Sequence, residues 1–219
     1  MELVIGNKNY SSWSLRGWLM LKAFDIPFHE KKLQLFSDSF YQELESVTPM
    51  AKVPVLIDGG VNVWDSLAIC EYVSEKYLEG KGWPKELTSR AIARAAVAEM
   101  HSGFSALRNE MPMNCRAKRK VLLSDQAQVD VERIDQLWRN CLTRVSDNEK
   151  TGWLFGEFSI ADVFYAPVAL RFKTYGIELS DLSSAYVEKI LNYGPVMEWV
   201  DGALSETEIV LEDEAGEVR

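Results

Sequence analysis

The sequence predicts an α/β domain followed by an all-α domain. Three observations carry this. Short apolar, mostly β-branched runs bounded by turn residues fall only within the first 65 or so positions, and helical spacings of apolar residues lie between them. A stretch at 79–87, interrupted by Gly80, Gly82 and Pro84, breaks both periodicities. Beyond it strand patterns vanish and only helical ones continue. The expected division is residues 1–79 and 88–219, joined by that linker.

From the N-terminus, residues 3–5 predict a short apolar strand that stops at Gly6-Asn7. Trp13, Leu15, Trp18, Leu19 and Leu21 then recur at the spacing of an amphipathic helix ending ahead of Asp25-Ile26-Pro27. Residues 28–33 predict a second strand, mixed in polarity, and 37–47 a short helix with Phe40 and Leu44 on one side. The runs at 53–57 and 61–64 flank Asp58-Gly59-Gly60, the composition of a tight hairpin turn. Asp65-Ser66 then supplies an N-cap in front of Leu67, Ile69, Cys70 and Val73, which suit a helix packed by one face on a sheet. A βαβ unit joined to ββα is a thioredoxin-like arrangement.

Pro54 needs a reason, because proline entering a strand removes a ladder donor and holds the preceding residue extended. Two readings are open. It opens an edge strand in the ordinary way, or a cis Val53-Pro54 bond turns the Val53 backbone groups outward toward a ligand. A strand edge so presented pairs with an extended peptide, while the helix start at Asp65-Ser66 offers N–H groups to a carboxylate. The second reading therefore points to a small acidic peptide.

In the second domain, residues 88–111 predict one long alanine-rich helix, and 122–145 another with Ile134, Leu137, Trp138 and Cys141 at helical spacings. Ser159 and Asp162 have the spacing of a capping box, with Phe158 and Val163 as a hydrophobic staple, a helix start worth about 1 kcal/mol. Residues 186–204 predict one or two short helices broken at Gly194-Pro195. From Ser205 on the chain is rich in acids and poor in large apolar groups, so a frayed tail is expected.

Composition excludes several classes of function. At 219 residues, 47% hydrophobic and 26% charged, the chain is that of a soluble globular protein. A net charge of −9 with dispersed Lys and Arg argues against nucleic acid and anionic membrane as partners; the one basic cluster, at 116–120, is expected to be a solvated helix end or loop. Three scattered cysteines and two histidines, His29 and His101, give neither a disulfide framework nor metal-ligand spacing, so no metal is expected. Neither a leader of the secretory type nor the ~20-residue apolar run of a membrane span is read, which makes the cytoplasm the expected address.

The core V-P-V-L, followed by D-G-G and then W-D-S-L-A-I-C-E-Y, resembles the glutathione-binding domain of the cytosolic glutathione transferase superfamily. The capping box at Ser159 and Asp162 stands where that superfamily carries its S/T-x-x-D box, and the resemblance covers nearly all of residues 1–204. It implies that Pro54 is cis, that the Val53 backbone pairs with the cysteinyl part of glutathione, and that Asp65 and Ser66 hold its γ-glutamyl end. Lys52, beside the V-P step, is the candidate partner of the glycyl carboxylate. It further implies a homodimer with glutathione as co-substrate, conjugated to a small hydrophobic electrophile in the manner of detoxification.

Such a transferase must favour a thiolate whose free pKa is about 8.5. A drop of two units requires about 2.7 kcal/mol. A hydroxyl donating to the sulfur beside a helix N-terminus supplies that order of energy, so the place to look is between the first strand and the first helix. That loop, Asn9-Tyr10-Ser11-Ser12-Trp13-Ser14-Leu15-Arg16, is similar to the Ser-type loop of the zeta class, S-S-C-S-x-R. The alignment makes Ser11 the hydrogen-bond donor, with Ser12 its neighbour and alternative and Tyr10 the competing donor of other classes. Trp13 replaces the zeta cysteine and fills space where that class, which includes maleylacetoacetate isomerase, handles an acidic substrate. Trp13, Phe104 and Met111, with Met100 and Met113 nearby, are the expected lining for the second substrate; Arg16 is expected to form an ion pair. Two alternatives stand beside transfer: a noncatalytic binding module that keeps the fold, and isomerisation of an unsaturated diacid.

Overall fold

The computed structural model describes residues 1–218. Its sheet has the order β2-β1-β3-β4, built from β1 (Glu2–Ile5), β2 (His29–Lys32), β3 (Val55–Asp58) and β4 (Val61–Trp64). β1 runs parallel to β2 and antiparallel to β3, with Leu3 opposite Glu30 on one side and Leu56 on the other. Alternation along β1 decides how the sheet is covered. Leu3 and Ile5 face the main core, where α1 (Ser12–Ala23) and α3 (Ser66–Leu78) lie, whereas Val4 faces Phe40 and Leu44 of α2 (Asp38–Glu45). This is the thioredoxin-like domain the alternation of elements predicts. Gly17 lets α1 sit close to the next strand: a Cβ there would come 3.3 Å from the Pro54 ring.

The remainder is helical: α4 (Leu87–Ser102), α5 (Ser105–Glu110), α6 (Asp125–Arg144), α7 (Ile160–Tyr175), α8 (Asp181–Leu191) and α9 (Gly194–Leu204). The single helix expected over 88–111 is two. Gly103 closes α4, where a Cβ would approach the Glu99 carbonyl oxygen to 2.7 Å, and Phe104 follows in the left-handed region at φ 55°. Alanine content carries α4 only to that point. All of α7 except Lys173 is buried, so α7 is the axis on which the other helices pack. Its capping box forms: Ser159 Oγ accepts from Ala161 N at 3.3 Å and Asp162 Oδ2 accepts from Ser159 N at 2.9 Å. Asp162 Oδ1 also accepts from Leu154 N at 3.1 Å and Tyr186 Oη at 2.9 Å; its burial raises the carboxyl pKa to about 6 despite those donors.

One core runs from Leu3 through α1 and α7 to Trp199, so the two domains share a packed seam. The linker belongs to it. Trp83 is buried, its Nε1 donating to Glu71 at 2.9 Å, and Ile160 N donates to the Gly82 carbonyl at 2.9 Å.

The tail departs from expectation. Instead of fraying, residues after Ser205 fold back on the loop that follows β1. Glu206 is buried and its carboxylate accepts from Lys8 N at 2.8 Å and Asn9 N at 3.0 Å. Glu214 accepts from Tyr10 Oη at 2.6 Å and from Arg119, while β6 (Glu217–Val218) pairs with β5 (Arg119–Lys120). Arg116 donates to the carbonyls of Glu206 and Glu208. The acidic run and the basic cluster at 116–120, each expected to be solvated, are partners of one another. No helix of the described residues is long and apolar enough to cross a membrane.

Candidate functional site

The N-terminal ends of α1 and α3 converge on the strand edge at Val53 and Pro54, and the bond between those two residues is cis. A cavity of about 390 Å³ lies there. Lys52, Val53, Pro54, Asp65 and Ser66, the five residues expected to hold a tripeptide, all line it. Trp13, Met50, Trp64 and His101 complete its wall.

Asp65 caps α3 from a left-handed backbone, φ 74°, and its Oδ1 accepts from Leu67 N at 2.8 Å and Ala68 N at 3.2 Å. Oδ2 takes no part in the cap and lies 3.3 Å from His101 Nε2. Ser66 Oγ is buried in the cavity wall without a hydrogen-bond partner. An unsatisfied buried hydroxyl costs roughly 1–3 kcal/mol, which a ligand with a matching polar group would return. Together with the α3 N-terminus, this corner suits an amino-acid head group: a carboxylate on Ser66 and the helix end, an ammonium on Asp65.

The three candidate hydroxyls sit differently. Ser11 is the N-cap of α1; its Oγ accepts from Ser14 N at 3.3 Å and donates to Ser14 Oγ at 2.7 Å, behind the cavity wall rather than in it. Ser12 Oγ accepts from Arg171 Nη2 at 3.1 Å. Tyr10 Oη donates to Glu214 and accepts from Arg116 Nη2 at 2.9 Å, which ties it to the tail. Of the expected second-substrate residues, Trp13 lines the cavity, whereas Phe104 and Met111 belong to the core, Met111 with no exposed surface. Met100 and Met113 are buried too. The turn at Gly103-Phe104 redirects this segment inward, and Met50, Trp64 and His101 line the cavity instead.

Behind Trp13 lies an uncompensated positive charge. Arg16 is buried with Nε and Nη1 unpartnered, its guanidinium 4.4 Å from the Trp13 ring centre and 4.5 Å from that of Phe164. Among the described residues the expected ion pair does not form. Burial, then the charges of Arg171 and Arg108, push the Arg16 pKa down to about 9. Arg171 is likewise buried and lowered to about 10; its Nε donates to the Met111 carbonyl at 2.8 Å and its Nη1 has no partner. Guanidinium groups buried beside a cleft favour a nearby anion.

Sequence reasoning missed His101, Met50, Trp64 and Arg171. Arg171 carried a readable signal, a charge within the apolar run Val168-Ala169-Leu170-Arg171-Phe172. His101 carries no such signal, since a histidine without metal-ligand spacing reads as an ordinary side chain.

A family model described as Glutathione S-transferase, N-terminal domain, matches residues 10–76, and one described as Glutathione S-transferase, C-terminal domain, matches 90–202. Glutathione S-transferase Z1 of Arabidopsis thaliana is 29% identical over 173 residues, 73% of this chain and 74% of that protein. The maleylacetoacetate isomerase of Rattus norvegicus is 28% identical, covering 77% and 76%. Among solved structures, a bacterial zeta-class maleyl pyruvate isomerase superposes with a TM-score of 0.72 at 17% identity, covering 95% of this chain and all of that one. A glutathione transferase homolog from Burkholderia, with bound glutathione, gives 0.70 at 22%, covering 92% and 97%.

Proposed function

The chain belongs to the glutathione S-transferase family, and from that premise we propose that it joins the sulfur of glutathione to the electrophilic carbon of a small hydrophobic compound. The observation that carries the reading is the convergence of Lys52, Val53, Pro54, Asp65 and Ser66 on one cavity, with the Ser66 hydroxyl still unpartnered. Glutathione held there supplies a thiolate. Ser66 and the first turn of α3 bind the γ-glutamyl carboxylate, Asp65 Oδ2 its ammonium, the Val53 backbone the cysteinyl unit, and the exposed Lys52 the glycyl carboxylate.

Ser11 keeps the sulfur ionised. Its Oγ turns from Ser14 Oγ, 2.7 Å away, and donates to sulfur, while the N–H of Ser14 continues to hold it at the positive end of α1. A charge-assisted hydrogen bond contributes about 1.5–3 kcal/mol. The field of Arg16 acts in the same direction. Trp13, Trp64 and Met50 offer an apolar surface for the electrophile. The same reading takes the protein as a cytoplasmic homodimer serving detoxification, with domains over 1–79 and 88–219.

A second reading has its own observation. The buried guanidinium groups of Arg16 and Arg171, with Nε and Nη1 of the first and Nη1 of the second unpartnered, favour an acidic second substrate, which would make glutathione-dependent isomerisation of an unsaturated diacid the activity. The test is direct. Conjugation of a chloronitrobenzene and isomerisation of a maleyl compound are measured for the native protein and for Ser11→Ala. Transfer predicts turnover of the first that falls at least tenfold in the variant. Turnover of the second alone favours isomerisation, and glutathione binding without either favours a noncatalytic module.

A further inference from the structure

His101 is the one member of the cavity wall, among the described residues, that comes from the helical domain. It sits in the last turn of α4, with its ring edge-on to Trp13 at 5.5 Å between centres and tilted against Phe164 at 5.9 Å. Those aromatic contacts fix the plane of the imidazole. Its polar atoms have unequal surroundings: Nε2 lies 3.3 Å from Asp65 Oδ2, whereas Nδ1 is buried with no partner. Nothing on its own side of the seam uses the ring's hydrogen-bonding capacity. Its close polar approach, 3.3 Å from Nε2 to Asp65 Oδ2, crosses the seam to the residue that caps α3.

We propose that His101 is a positioning residue for glutathione, acting through Asp65: it donates from Nε2 to Asp65 Oδ2 and so aims that oxygen at the γ-glutamyl ammonium. The inference rests on the proposed glutathione site. Asp65 needs such help for a geometric reason. Two backbone donors hold its Oδ1, but the carboxylate can still pivot about that point, and the side chain is 42% exposed. Water would then compete for Oδ2. A donor from the facing domain removes that freedom before the ligand arrives, so less ordering remains to be done on binding. The carboxylate keeps acceptor capacity on Oδ2 for the ammonium, since each oxygen takes about two donors.

The role separates from mere packing by choice of thiol. Glutathione and cysteinylglycine share the reacting sulfur and the glycyl end, but only glutathione carries the γ-glutamyl group that Asp65 addresses. Binding and steady-state conjugation are measured with both thiols for the native protein, His101→Ala, His101→Gln, Asp65→Ala and the His101→Ala/Asp65→Ala pair, each checked by its melting curve. His101→Ala is expected to raise the dissociation constant and KM for glutathione about five- to tenfold, the order of one ordinary hydrogen bond, since the effect reaches the ligand only through Asp65. It should leave kcat at saturating glutathione within twofold and cysteinylglycine unaffected. His101→Gln, whose amide can still donate, should recover most of the loss. The pair should be no worse than Asp65→Ala alone, because two residues acting through one contact do not add.

Equal losses with both thiols, or full additivity in the pair, would overturn the role and leave the glutathione site intact. A native protein that binds no glutathione would remove both.

Discussion

Arg16→Met tests whether the buried charge behind Trp13 is kept for function at the expense of stability. The guanidinium is wholly buried and, among the described residues, has no carboxylate partner and two nitrogens without hydrogen bonds. A pKa lowered from 12.5 to about 9 corresponds to about 5 kcal/mol of penalty on the charged form, an upper bound. The faces of Trp13 and Phe164 return about 1–2 kcal/mol each. A net cost of about 1–3 kcal/mol is left in the free protein. Methionine follows the same stem without the charge, so the variant should be more stable by that amount, about 3–10 °C in melting temperature for a chain of this size. The sign with pH follows. Because the native state sheds this proton more readily than the unfolded chain, the cost is fully present at neutral pH and fades as pH rises above about 9; the variant loses that dependence. Thermal melts at pH 7 and titration of bound glutathione by its thiolate absorbance are the assays. The variant should melt higher while its bound thiol ionises at higher pH. A variant destabilised by more than about 1 kcal/mol would refute the reasoning, since the cation would then be part of what holds α1 to α7.

Other residues give sharper, smaller tests. Ser66→Ala should weaken glutathione binding about tenfold by calorimetry without lowering the melting temperature, because the hydroxyl has no partner to lose in the free protein. Asp162→Ala should destabilise by about 3–5 kcal/mol in denaturant melts, since it orphans the Leu154 and Ser159 amides and the Tyr186 hydroxyl. Asp162→Asn reads the pH dependence instead: a carboxyl raised from 3.8 to about 6 makes the native state hold its proton more tightly, so stability should fall by about 3 kcal/mol as pH climbs from about 3 to about 7. The amide removes that share, and Asp213, raised to about 6 by burial, keeps the rest of the slope. Glu206→Ala should speed hydrogen exchange at the Lys8 and Asn9 amides and cost about 2 kcal/mol, loosening the loop that leads into Ser11.

Much of this molecule is written locally, and that part was legible. The hairpin, the two caps at Asp65 and Ser159, and the break at residues 79–87 depend on neighbours within a few positions, and each appears where its residues predict. That Val53-Pro54 and Asp65-Ser66 line one cavity follows from the same local unit, since one hairpin links them. What escaped depends on partners far along the chain. The acidic tail looks solvated until Glu206 meets amides 198 and 197 positions away, and the basic cluster looks solvated until the tail reaches it. Met111 satisfies helical spacing, but the turn at Phe104 decides which way it faces. His101 reaches Asp65 across two domains, a pairing that no periodicity encodes.

Conjugation at this site requires that the bound sulfur be ionised at neutral pH. Thiolate absorbance of glutathione, titrated against pH with the native protein and with Ser11→Ala, measures that ionisation directly. The predicted result is a bound thiol that ionises about two units below its free value of about 8.5 and returns most of the way in the variant. Identical titrations for free and bound glutathione in the native protein would contradict it.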